Sequence, residues 1–155
     1  MKKLTILFAV FIVLNSFSIY ENKFSKTELD KIKINYNWKD EKFLIINYFM
    51  PKSSCHYDNY TNPEKTKLWF DNNVYSNLDI ESSKNICVFS DYEYVDDIID
   101  EETYFADTNN FFLNKIFDSF RGCNGLIIIN SDGKYNYYEG EYSKNNVKTI
   151  LKELK

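Results

Sequence analysis

The chain is poor in the residues that build most metal and nucleic-acid sites. It has a single histidine, His56, which excludes a histidine-rich metal centre. Its only arginine is Arg121, its lysines are scattered, and its formal charge is −4. An acidic chain without a basic face is a poor match for a phosphate backbone, so nucleic acid is not an expected partner. The three cysteines, Cys55, Cys87 and Cys123, contain no CxxC pair and fit no zinc spacing. Glycine and proline are scarce, and no internal repeat or low-complexity stretch occurs. The acidic run from Asp91 to Glu102 lacks the glycine and the spaced ligand ladder of a calcium loop. It reads as a solvated surface. No metal and no cofactor are expected.

Hydrophobic and aromatic residues are plentiful enough for a well-packed core, so disorder is not expected. The first of them belong to a leader. Lys2 and Lys3 precede an apolar run, Leu4 to Leu14, broken only by Thr5, and Ser16 and Ser18 follow. A positive start, a short apolar stretch and small residues at −3 and −1 form a secretory signal peptide, residues 1–18, cleaved after Ser18. The run is shorter than the roughly 20 residues of a membrane span, so no stable membrane anchor is expected. The mature chain is expected in the periplasm or secreted, where a disulfide is chemically admissible. It loses two lysines with the leader and becomes more acidic. An odd number of cysteines leaves at least one thiol free or paired between molecules.

Residues 19–37 read as a polar N-terminal extension. Within it Ser25-Lys26-Thr27-Glu28 is a capping box for a short helix. Lys42 to Met50 is a run in which nearly every residue is apolar, ended by Pro51, the pattern of a strand buried on both faces. Asn62 and Pro63 start a helix of about four turns with Leu68, Trp69, Phe70, Val74 and Leu78 on its apolar face. Asn85 to Ser90 is a second strand. Tyr94, Val95, Ile98 and Ile99 have helical spacing, Thr103 to Phe105 is a brief extended segment, and Asn109 to Phe120 is helical again. Gly125 to Asn130 is a third buried strand. Asp132-Gly133 turns the chain into a returning strand from Tyr135 to Glu141. Ser143 caps a final helix with Val147, Ile150, Leu151 and Leu154 as its stripe. Strands linked by helices imply parallel pairing, with the late hairpin adding an antiparallel edge. The four tyrosines of the hairpin region, Tyr135, Tyr137, Tyr138 and Tyr142, read as sheet packing. A sugar- or peptide-binding face is the alternative.

This order, together with two segments, resembles the thioredoxin-like fold, in particular its exported TlpA and redoxin-type branch. The run Gly122-Cys123-Asn124-Gly125-Leu126-Ile127-Ile128-Ile129-Asn130-Ser131-Asp132-Gly133-Lys134 is similar to the strand and hairpin that close that family's domain. Phe43 to Phe49 is similar to the strand before its active loop. The resemblance covers residues 38–155. It implies an α/β, three-layer sandwich with a mixed central sheet, a C-terminal β-hairpin and a final helix. The family's loop normally carries CxxC at the start of the next helix. Here it reads Pro51-Lys52-Ser53-Ser54-Cys55-His56-Tyr57, and Asn124 stands where the family has a cis-proline.

The resemblance also implies that Cys123, just before that position, lies against the loop of Cys55. The two are then expected to approach each other and to be able to form a disulfide. Two functions follow from different classes. One is a thiol–disulfide oxidoreductase or redox sensor, with Cys55 attacking, Cys123 resolving and His56 or a helix N-terminus tuning reactivity. Lys52 and Arg121 are candidate supports for a thiolate. The partner would be a protein thiol or disulfide, or a peptide. The other is a non-catalytic binding or assembly module that has lost the dithiol. A peroxidase fits less well, because Lys52 stands where a peroxidatic loop needs Thr or Ser. Cys87, in the second strand, is expected to be buried and inert.

Overall fold

The computed structural model describes residues 22–56 and 60–155. The signal peptide expected over residues 1–18 lies outside the described residues. Lys26–Asn35 forms α1, opened by the Ser25 capping box: the Ser25 hydroxyl accepts from Glu28 N, and the Glu28 carboxylate accepts from Ser25 N. The helix runs to Asn35 and carries Ile32, and Tyr36 just past its end, into the core. The described part of the stretch 19–37 therefore shares the core of the rest.

Phe43–Phe49 forms β1, and every residue in it is buried. Its alternation explains why. Leu44, Ile46 and Tyr48 join Ile32, Phe112, Ile116 and Phe117 on one face of the sheet. Phe43, Ile45 and Phe49 join Phe70, Val74, Val147 and Leu151 on the other. Helices therefore cover both faces, and a continuous apolar run is what a doubly covered strand requires. The outcome is an α/β chain in three layers around one five-stranded mixed sheet.

Pro63–Phe70 forms α2, capped by Asn62 and continued by a π-helical turn over Asp71–Tyr75. The expected face is corrected here: Leu68 is 58% exposed and Trp69 55%. Three consecutive residues cannot share one face at 3.6 residues per turn. Phe70 and Val74 take the inward positions, and the wider turn also brings Tyr75 inside. Ser83–Phe89 forms β2. The helix implied by Tyr94 to Ile99 is instead two short 3₁₀ turns, Tyr92–Tyr94 and Asp96–Ile98, with Val95 buried between them. Asp100 stops them by accepting the backbone N–H groups of Glu102, Thr103 and Tyr104.

Tyr104–Ala106 forms β3, Phe111–Ile116 α3, Asn124–Asn130 β4, Tyr135–Glu139 β5 and Lys144–Glu153 α4. The sheet order is β3-β2-β1-β4-β5. β1 pairs in parallel with β2, and β2 with β3. β4 departs from the parallel expectation and runs antiparallel to β1, pairing Phe49 with Asn124. β4 therefore starts at the end of the sheet where β1, β2 and β3 finish.

Candidate functional site

That antiparallel start decides the geometry of the site. Cys123 immediately precedes β4, and Met50 immediately follows β1. The register that pairs Phe49 with Asn124 continues outward, and Met50 N donates to Cys123 O at 3.0 Å. Beyond Met50, Pro51 turns the chain into a 3₁₀ turn, Lys52–Ser54, and Cys55 closes it. Cys55 and Cys123 are joined by a disulfide, with their Cα atoms 4.5 Å apart across 68 positions of sequence. Cys123 is buried and Cys55 is half-buried, so the bridge meets solvent on its Cys55 side.

The bridge does not hold the two loops alone. The Ser54 hydroxyl lies 2.9 Å from Pro51 O and 3.1 Å from Gly122 O. Lys52 N donates to Asp91 Oδ2 at 2.8 Å, and its ammonium sits 4.2 Å from the centre of the Tyr94 ring. Tyr60, buried after the loop, donates to Met50 O at 3.0 Å. Burial pushes its phenol up to about 12, so it remains a neutral donor.

Several expectations change in this setting. Cys55 ends a 3₁₀ turn, and α2 begins only at Pro63, so Cys55 does not open that helix. His56 is exposed and directly follows Cys55. Arg121 Nη1 donates to the backbone carbonyls of Asp118 and Phe120, and Lys52 faces Tyr94, so both candidate cations are used locally. No cis peptide bond occurs among the described residues, so the bond into Asn124 is trans. Cys87 is fully buried, and burial pushes its thiol up to about 12. Among the described residues no acidic, histidine or cysteine cluster could hold a metal ion, and no helix is long and apolar enough to cross a membrane.

A groove of about 560 Å³ includes Asn124, the residue after Cys123. The exposed Trp69, the buried Phe70 and Tyr142, and Lys65 and Glu141 also line it. Phe70 and Tyr142 stack with ring centres 5.1 Å apart. Of the four tyrosines near the hairpin, Tyr142 is buried and Tyr135 stacks on Phe24, while Tyr137 and Tyr138 are exposed. Sequence reasoning passed over Ser54 and Gly122. The one available signal was position: each directly precedes a bridged cysteine. In comparisons with known proteins, no family model, curated protein or solved structure matches this chain.

Proposed function

We propose that the protein is an exported thiol–disulfide oxidoreductase, or a redox sensor built on the same couple, with a thioredoxin-like fold of the TlpA and redoxin type. The observation that carries this reading is the Cys55–Cys123 bridge itself. It sits at the end of β1 with one cysteine half-buried and the other buried. Attack is directed by that asymmetry. A partner thiolate attacks Cys55 Sγ, the Cys55–Cys123 bond breaks, and Cys123 leaves as a thiolate. The partner's second thiolate then attacks the mixed disulfide at its own sulfur and releases Cys55 as a thiolate. The partner ends as a disulfide, and this chain takes up two electrons and, at its thiols, two protons. The partner would be a protein or peptide presenting its thiols in an extended segment, and the groove beside Asn124 offers it an aromatic wall.

One observation favours a second reading, a non-catalytic binding or assembly module. Cys55 follows a 3₁₀ turn and does not start a helix, so the loop lacks the helix N-terminus at which the resemblance sets the attacking thiol. Native protein equilibrated in graded glutathione buffers, followed by thiol trapping and mass spectrometry, separates the two. Redox work requires the bridge to open and close reversibly with one midpoint. It also requires Cys123→Ser to accumulate a mixed disulfide at Cys55. A bridge that stays closed across all native buffers would instead leave the binding module.

A further inference from the structure

The residues that precede the two bridged cysteines touch each other. Ser54 Oγ lies 3.1 Å from Gly122 O. Its other neighbour, Pro51 O at 2.9 Å, already accepts the Ser54 backbone N–H. The hydroxyl carries one proton. Gly122 O is the acceptor with no other donor described, so the proton has most to gain there. A Cβ at position 122 would fall 2.3 Å from Cζ of Phe120, so a larger residue would have to displace that ring. Met50 N to Cys123 O is a second tie across the same gap.

We infer that Ser54 is a positioning residue for the Cys55–Cys123 couple, its hydroxyl holding the two loops at bonding distance when the sulfur–sulfur bond is open. This rests on the redox reading above. The hydroxyl contact and the disulfide close the same gap between the same loops. By linkage, each favours the other by the same factor. An intramolecular disulfide is favoured over two thiols to the extent that the fold keeps one sulfur near the other. A contact that persists in the dithiol therefore shifts the couple towards the disulfide. Ser54 touches neither sulfur in this role and transfers no proton.

The test compares full-length mature wild type with Ser54→Ala and Ser54→Thr. The equilibrium constant against glutathione is read by thiol trapping and mass spectrometry, and urea unfolding is measured on both redox forms. Ser54→Ala is expected to reduce more readily, with a constant lowered roughly three- to tenfold, the range of one neutral hydrogen bond. Ser54→Thr keeps the hydroxyl and is expected to stay within about twofold of wild type. An Ala variant that loses stability equally in both redox forms, with its glutathione constant unmoved, makes Ser54 merely structural and overturns the inference. If the wild-type bridge never exchanges in native buffer, the redox reading fails and takes the inference with it. If wild type exchanges and Ser54→Ala matches it, only the positioning role fails.

Discussion

Asn47 is a polar side chain in the middle of the most buried strand, and its surroundings explain how it is tolerated. Its amide donates to Asn85 Oδ1 and Ile86 O, both at 2.7 Å. Its Oδ1 accepts the hydroxyls of Tyr75 and Tyr142, both at 2.6 Å. One side chain thus joins β1 to β2, to the turn after α2 and to the approach to α4. Among the described residues no buried side-chain N or O lacks a partner. The cost of breaking such a network is the desolvation of what is left behind, more than the bonds themselves. Asn47→Ala removes the acceptor that two buried tyrosine hydroxyls share and the donor to Asn85 Oδ1 and Ile86 O, and we expect it to lose about 3–5 kcal/mol of unfolding free energy in urea. A loss under about 1 kcal/mol would mean that water or a shifted tyrosine replaces the amide. Asn47 was visible in the sequence as the only polar residue inside the run from Phe43 to Met50. Its partners were not, because Tyr75 and Tyr142 lie 28 and 95 positions away. Local pattern carries no information at that range.

At the scale of elements, Asp107 starts the short α3. Asp107 is a buried carboxylate that accepts from Phe112 N at 3.1 Å, Leu113 N at 3.0 Å and the Tyr48 hydroxyl at 2.8 Å. Burial raises its pKa above the ordinary 3.8, and the three donors only partly offset it. The folded state therefore holds this proton more tightly than the unfolded chain. That contribution to stability is fully present below the ordinary value and is lost as pH rises through the folded one. Asp107→Asn cannot titrate. The stability difference, wild type minus variant, is expected to shrink as pH rises above the ordinary value of 3.8 in paired urea titrations. A difference that grows with pH would place the folded carboxyl below its ordinary range. Elements with strong periodicity or capping were legible in the sequence: β1, β2, β4, the hairpin, and the starts of α1, α2 and α4. The stretch from Tyr92 to Ile99 was not, since a few apolar residues at helical spacing do not show that neighbouring side chains will take the backbone donors. Asp100 takes three of them. The exposed Leu68 and Trp69 were misread for a similar reason: an apolar cluster on a helix marks a face, and packing against the sheet decides which part of it turns inward.

For the whole molecule, the consequence of the fold is that β4 runs antiparallel to β1 and sets Cys123 beside the loop of Cys55. The signal for the pairing was the resemblance carried by the run from Gly122 to Lys134, which sets Cys123 just before the position of the family's cis-proline. The bridge ties two segments 68 positions apart, and in the chain-entropy model such a crosslink stabilises the folded chain by roughly 4 kcal/mol. Cys87, buried and with a raised pKa, takes no part and serves as an internal reference. Double replacement, Cys55→Ser with Cys123→Ser, is expected to lower the unfolding free energy by about that amount against oxidised wild type. The same double variant should nearly match the reduced wild type, because serine restores the open loops without the bond. The comparison closes a thermodynamic cycle. Whatever stability the fold gains from the bridge is the free energy by which folding draws the two thiols together, so unfolding and redox equilibria must return the same value. A double variant as stable as oxidised wild type would mean that the native loops resist the bond as much as the unfolded chain is restrained by it. Folding would then leave the couple's potential where a loose pair of thiols has it.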